Sequence, residues 1–224
     1  MIQHGDFVKL HYTGTLQDGT VFDTTDPTIA KAHNLGTRRT EPITVCVGER
    51  MLLPGLDDSL IGKTPGKYTI TLKPEAAFGM KDPKRLRIIP TKQLLQQEIR
   101  PHPGLQLNID GDYGVVRTVS PGRTVVDFNH PLASQAVTYT IQVIELVHDP
   151  AQQAKALISA IGLPILDVAV TGTSATIKVP QIYPKPMMDA LTTRITEKTS
   201  ITTVHFEQGE APKKHTNTTS AHTA

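Results

Sequence analysis

The chain has 224 residues, 38% of them hydrophobic, and 23 Lys and Arg stand against 21 Asp and Glu, which leaves room for two or three small cored units rather than one. A net charge of +2 with no clustered basic face gives no nucleic-acid footprint, and no apolar run reaches membrane-spanning length. Trp is absent and aromatics make up 4%, so packing is expected to rest on aliphatic, strand-forming residues, and the lone Cys46 excludes an internal disulfide.

Taken in chain order, Val8, Leu10 and Tyr12 share one face of a strand, Gln17-Asp18-Gly19 offers hairpin chemistry, and Val21 to Asp23 returns as a second strand. Residues 24–42 read as an irregular excursion with a short helix near Ile29–His33. Ile43, Val45 and Val47 alternate before Gly48, Pro54 opens a short helix that Gly62 closes, and Tyr68, Ile70 and Leu72 form another strand ending in the turn Lys73–Gly79. The basic, proline-containing stretch Met80–Pro90 breaks the pattern and is expected to be a solvated linker face. Leu105, Leu107 and Ile109 then start a run of short strands turned at Asp110-Gly111 and Ser120–Arg123.

Val137, Tyr139, Ile141 and Val143 restore the alternation of the first unit, so the strands before them read as an insertion into it. Asp149-Pro150 starts a helix whose predicted inner face is Ala154, Leu157 and Ile161. Strands at Ile165–Val170, Ala175–Val179 and Ile201–Glu207 and a helix over Met187–Lys198 make a further unit, and the tail beyond Gly209 is expected to be disordered.

The order Tyr12-Thr13-Gly14, Asp18-Gly19-Thr20-Val21-Phe22-Asp23, Leu53-Pro54-Gly55-Leu56 and Ala76-Ala77-Phe78-Gly79, each in its expected strand, helix or turn, resembles the FKBP-type peptidyl-prolyl cis-trans isomerases. Asp127–Ala133 is similar to the re-entry segment of SlyD-like members, in which an insert-in-flap domain interrupts the loop over the active site, and the added C-terminal part resembles the long archaeal form. The resemblance implies an α+β fold: an FKBP-like antiparallel sheet wrapped on a short helix, with an inserted small β domain and a C-terminal α+β domain. The expected boundaries are 1–80 with 130–147 for the isomerase domain, 81–129 for the chaperone-like insert, 148–209 for the C-terminal domain and 210–224 for the tail.

Rotation about a bond preceding proline is slow because amide resonance sets a barrier of about 18–20 kcal/mol, and an apolar pocket lowers it by disfavouring the more polar planar amide. By resemblance, Tyr12, Phe22, Asp23, Leu53, Phe78 and Tyr139 carry catalysis, and Ile43, Leu52, Leu56, Ala76, Ala77, His130 and Leu132 complete the substrate pocket. In that scheme the Leu53 N–H holds a substrate carbonyl, while Asp23 and the Tyr12 hydroxyl orient the twisting amide. The chain departs from the best-known members at Leu56, where they have Trp, and at Ala76, where they commonly have Tyr; both changes enlarge the pocket.

Taken singly, Tyr12, Phe22 and Tyr139 are equally well read as core aromatics, Asp23 as a turn or cap residue, and Phe78-Gly79 as a plug beside a tight turn. No cofactor and no metal is expected, because His205, His215 and His222 are scattered. The partners implied are unfolded or nascent polypeptides with X-Pro bonds, met in the cytoplasm; no nucleic acid and no membrane are expected. The insert, with an open strand edge, would bind extended chains by strand addition, against a reading as structural decoration. The competing function is a non-catalytic module that binds proline segments or unfolded chains.

Overall fold

Alternation along Phe7–Leu16 places this strand, β1, at the centre of a five-stranded antiparallel sheet, because Val8 and Leu10 bury completely on its inner face. One edge of β1 is shared by β2 (Val21–Thr24) and β3 (Ile43–Cys46), and its other edge pairs with β9 (Val137–Leu146), which pairs in turn with β4 (Gly66–Leu72). The chain thus returns after about sixty residues to fill the middle of a sheet begun earlier, with Tyr12 opposite Ile141 and Gly14 opposite Tyr139. The computed structural model describes residues 1–36 and 40–209, so the expected disorder of the tail lies outside the described residues.

Helix α1 (Pro27–Ala32) follows β2, with the Asp26 carboxylate accepting from the Thr28 and Ile29 N–H groups and Pro27 in the first turn. Helix α2 (Pro54–Leu60) packs Leu56 and Leu60 against Val8, Leu10, Val45, Val137, Tyr139 and Ile141, and this is the core under the sheet. A single turn of 3-10 helix, Pro74–Ala76, leads out of β4, and another, Pro83–Arg85, leads into the next sheet.

That second sheet has the order β5 (Leu86–Pro90), β8 (Arg123–Asp127), β7 (Asp112–Ser120), β6 (Gln106–Ile109), all antiparallel, with helix α3 (Thr91–Gln96) laid on it through Leu94. The inserted unit is therefore not all β, and part of the stretch expected to be linker is its first strand. Three of the four basic residues there are engaged. Lys81 and Arg117 both reach the Asp127 carboxylate, at 3.1 and 3.0 Å; Arg85 donates to the Phe128 carbonyl; and Arg87 pairs with Asp112 while stacking 4.7 Å from the Phe128 ring centroid.

Beyond β9, helix α4 (Pro150–Ala160) is capped by Asp149 and precedes β10 (Asp167–Thr171), β11 (Ser174–Val179), α5 (Lys185–Lys198) and β12 (Thr203–Gln208). β10 pairs antiparallel and β12 parallel to β11, the latter permitted by the crossover through α5. The buried residues of α4 are Ala154, Ala156, Leu157 and Ile158; Ile161 lies past the helix end and is 47% exposed, so the predicted inner face stops short of it. The core of this unit continues into the first sheet, because Phe7, Cys46 and Val147 pack with Leu157, Ile177 and Ile195. Among the described residues no helix is long and apolar enough to cross a membrane.

Candidate functional site

Gly14 and a strand irregularity shape the site together. Across β1 and β2, Gly14 faces Asp23 while Thr15 faces Val21, so Phe22 is the extra residue of a bulge. A bulge re-aims its side chain. Here the Phe22 ring lies over Gly14, where an added Cβ would sit 2.6 Å from the ring and 3.0 Å from Tyr139.

Around that point the rings form a continuous wall. Phe22 meets Tyr139 edge-on at 5.7 Å between centroids and Phe78 edge-on at 5.9 Å, and Tyr12 lies 5.9 Å from Tyr139 at a 56° tilt. Edge-to-face contacts of this kind suit the aromatic quadrupole and fix the rings relative to one another. The Tyr12 hydroxyl donates to the Asp23 carboxylate at 2.8 Å, leaving Asp23 an exposed acceptor beside an otherwise apolar wall. Tyr139 is 5% exposed; burial first, and the Asp23 charge second, push its hydroxyl well above the ordinary tyrosine range, so it is a protonated donor at any working pH.

The floor comes from the loop and helix after β3. Leu56 is buried, while Ile43, Leu52 and Leu53 pack half-buried against the same core as Tyr12, Phe22 and Phe78. Pro54 opens α2, and the Leu53 carbonyl accepts from the N–H groups of Leu56 and Asp57. Among the described residues the N–H of Leu53 itself donates to no acceptor, as expected of a group at a helix start. Gly55 allows the 3-10 turn to close on α2: a Cβ there would stand 2.6 Å from Leu72 and 3.0 Å from Ala76. Ala77 and Phe78 follow that turn onto the core.

The rim is made by the segment returning from the inserted sheet. The His130 imidazole stacks on Phe78, 4.6 Å between centroids and 4° between planes, and its Nδ1 accepts from the half-buried Leu132 N–H at 3.1 Å. Ser134 ties this segment to the outgoing chain: its N–H donates to the Gly79 carbonyl and its hydroxyl accepts from the Lys81 N–H, both at 2.8 Å. Asp127, 3% exposed, anchors the junction by accepting from Lys81, Arg117 and both nitrogens of Asn129. Burial by itself would raise this carboxyl, but the Asn129 hydrogen bonds, then Lys81 and Arg117, outweigh it and hold the group well below the usual carboxylate range.

The structure thus brings Tyr12, Phe22, Asp23, Phe78, Tyr139 and His130 into direct contact, sets Ile43, Leu52, Leu53, Leu56 and Ala77 around the same core, and places Ala76 behind Gly55. Leu132 joins only through His130. Sequence reasoning did not single out Gly14, Gly55, Asp127 or Ser134. Gly14, Gly55 and Asp127 stand inside the quoted motifs, whereas the ties that Asp127 and Ser134 make at the junction join segments distant in the chain. A cavity of about 790 Å³ opens between β3 and α4, lined by Ile43, Val45, Met51, Gln152, Lys155 and Ser159, so Ile43 stands between it and the core beneath the aromatic rings. Among the described residues no group of three or more His, Cys, Asp or Glu side chains is placed to hold a metal ion, and His215 and His222 lie outside them.

The family model for FKBP-type peptidyl-prolyl cis-trans isomerase matches residues 1–100, and one described as FKBP26, IF domain, matches residues 87–132. The FKBP-type 16 kDa peptidyl-prolyl cis-trans isomerase of Escherichia coli is 33% identical over 159 residues, 68% of this chain and 97% of that protein. The short-type peptidyl-prolyl cis-trans isomerase of Methanocaldococcus jannaschii is 31% identical over 146 residues, 64% of this chain and 92% of that protein, and SlyD of Vibrio cholerae is 29% identical over 168 residues, 68% and 76%.

Proposed function

Because this chain belongs to the family of FKBP-type peptidyl-prolyl cis-trans isomerases, we propose that it turns the prolyl bond in the cradle of Tyr12, Phe22, Asp23, Leu53, Phe78 and Tyr139, and that the inserted sheet holds unfolded chains beside it. A planar amide carries more charge on its oxygen than a twisted one. Bringing the bond out of water against apolar rings therefore disfavours the planar ground state relative to the transition state, and no nucleophile or general base is needed. The Leu53 N–H takes the carbonyl of the bound peptide, the proline ring rests against Phe22, Phe78 and Tyr139, and the Tyr12–Asp23 pair faces the polar atoms of the turning amide.

The observation that carries this reading is a Leu53 N–H that, among the described residues, has no acceptor, beside an aromatic wall with an exposed charge, Asp23, already oriented by Tyr12. The test is isomerisation of a short prolyl peptide. Asp23→Asn and Phe78→Ala, both at positions outside the buried core, should lower kcat/KM by about ten- to a hundredfold with the fold retained, a range typical of losing one positioned group. Wild-type turnover in both variants would refute it.

For the insert, support comes from its edge. β5 is the outer strand of the second sheet, Leu86 and Ile88 on it are 44% and 64% exposed, and a groove of about 200 Å³ beside it is lined by Ile88, Ile89, Leu94 and Phe128. An extended polypeptide can add to such an edge through its backbone and seat alternate apolar side chains in the groove. Tethering it there raises the local concentration of its X-Pro bonds at the cradle. The chain has no Trp, so proline-limited refolding of a Trp-containing substrate protein can be followed by fluorescence without background. Ile88→Asp should slow catalysed refolding while leaving short-peptide isomerisation unchanged; equal effects on both substrates would remove the insert from this role.

A further inference from the structure

The residues after Pro150 take no part in the aromatic cradle, yet α5 reaches the turn that leads into it. Lys198 Nζ lies 2.6 Å from one Glu49 carboxylate oxygen and Arg194 lies 3.7 Å from the other, with the Glu49 side chain 18% exposed. The Lys198 hydrogen bond, opposed by burial and helped by the charges of Lys198, Arg194 and His4, holds the Glu49 carboxyl below its ordinary range, and the same bond raises Lys198.

Glu49 is the middle of a turn that is also held from the other side. The buried Asp57 of α2 accepts from the N–H groups of Gly48 and Arg50, each at 3.0 Å. Arg50 sits at φ +54°, a left-handed conformation that is strained for a non-glycine residue and persists only while its partners hold it. Next comes Met51, which packs both against the core under the first sheet and against the core of the C-terminal unit, with its sulfur accepting the Cys46 N–H at 3.2 Å. Leu52 and Leu53 follow directly.

We propose that α5 is a positioning element for the isomerase: through Glu49 and Met51 it fixes the 48–51 turn, and so the direction of the Leu53 N–H, without touching the substrate. Asp57, together with the Arg50 guanidinium on the Pro54 carbonyl and Asp58, ties the turn to α2; Arg194 and Lys198 tie its Glu49 to α5. This gives the C-terminal unit a part in catalysis and rests on the role given above to the Leu53 N–H.

The experiment uses the full chain with Glu49→Gln and Lys198→Met, singly and together. It measures kcat and KM on a short prolyl peptide and amide exchange at residues 48–53 and in β9. Each single change should lower kcat/KM by about three- to tenfold and speed exchange at Gly48 and Arg50, whose N–H groups Asp57 holds, while β9 exchange stays as in the wild type; the double variant should be no worse than the poorer single, since both cut one link. Exchanging the charges with the second cation removed, Glu49→Lys and Lys198→Glu with Arg194→Gln, should recover most of the loss. Unchanged exchange at 48–53 in both single variants would overturn the proposal, as would loss of protection in β9 together with the turn, because a merely stabilising contact acts on the whole sheet. Phe78→Leu measured alongside separates the two readings: if it leaves turnover intact, the cradle assignment fails, whereas the exchange data still judge the link from α5.

Discussion

The His130 imidazole lies flat on the Phe78 ring, 4.6 Å between centroids and 4° from parallel, while its Nδ1 accepts the Leu132 N–H. One side chain from the segment that returns from the inserted sheet therefore both covers a wall of the cradle and fixes the backbone of its own turn. His130→Phe keeps the stack and loses the acceptor; His130→Ala loses both. We expect His130→Ala to raise KM for a prolyl peptide by about three- to tenfold, in keeping with an exposed stack of about 0.5–1.5 kcal/mol, and His130→Phe to stay within about twofold of wild type. Steady-state kinetics on the two variants checks this, and an equal loss in both would mean that the Leu132 bond, rather than the stack, shapes the rim.

Gly14 has no room for a side chain beside the cradle. A Cβ there would meet Phe22 at 2.6 Å and Tyr139 at 3.0 Å, and both rings are already fixed by their edge contacts. Gly14→Ala should therefore cost about 1–3 kcal/mol of stability, as overpacking usually does, and should also lower kcat, because the rings it displaces form the cradle. Urea unfolding followed by circular dichroism gives the first quantity and peptide isomerisation the second; a variant as stable and active as wild type would show that Phe22 has room to move.

Much of this was legible in the sequence, and what was not shares a cause. The strand Phe7–Leu16 and its partner Val137–Leu146 are announced by Val8, Leu10 and Tyr139, Ile141, Val143, because one face of each is buried and period two survives. The Phe22 bulge is silent, since inserting one residue into a short edge strand leaves the local pattern plausible. β5 was read as linker because an edge strand of a small sheet buries little: of Leu86–Pro90 only Ile89 is half-covered. The inner face of α4 was misjudged at Ile161 because the helix stops at Ala160, before that residue can complete the apolar stripe. Likewise the tie between Glu49 and Lys198 joins segments that nothing local relates.

Asp127 should make the junction sensitive to acid. Its carboxyl is held below the usual range in the folded chain, so the stability it contributes is fully present above the ordinary carboxylate titration, near pH 4, and is lost as pH falls below that toward the folded value. Asp127→Asn removes that contribution at neutral pH and keeps most of the shape. Lys81 and Arg117 are partly exposed and can be resolvated, so the expected cost at pH 7 is about 1–3 kcal/mol. The difference between wild type and variant should shrink as pH drops below about 4. Amide exchange in β5 and β8 as a function of pH measures it, and a difference independent of pH would mean that shape, not charge, holds the junction.

Cys46 reports on the opposite flank, where the first sheet meets the C-terminal unit. It is fully buried among Phe7, Val147 and Leu157, and burial first, with the charge of Glu49 second, pushes its thiol up to about 11. Because the folded pKa lies above the unfolded one, the protonated thiol contributes stability fully at neutral pH. That contribution declines as pH rises through the interval up to about 11, by as much as about 1.4 kcal/mol per pH unit. Cys46→Ala removes the titration and leaves a small cavity, so it should be less stable than wild type at pH 7 but lose stability more slowly between about pH 9 and 11. Alkylation supplies the kinetic check: an uncharged reagent at pH 8 should modify the native thiol slower than an unfolded control by a factor of at least about a hundred, the thiolate being both scarce and covered. Rapid native modification would mean that α4 and β3 separate readily, and Glu49→Gln, if it loosens the same interface, should speed the reaction.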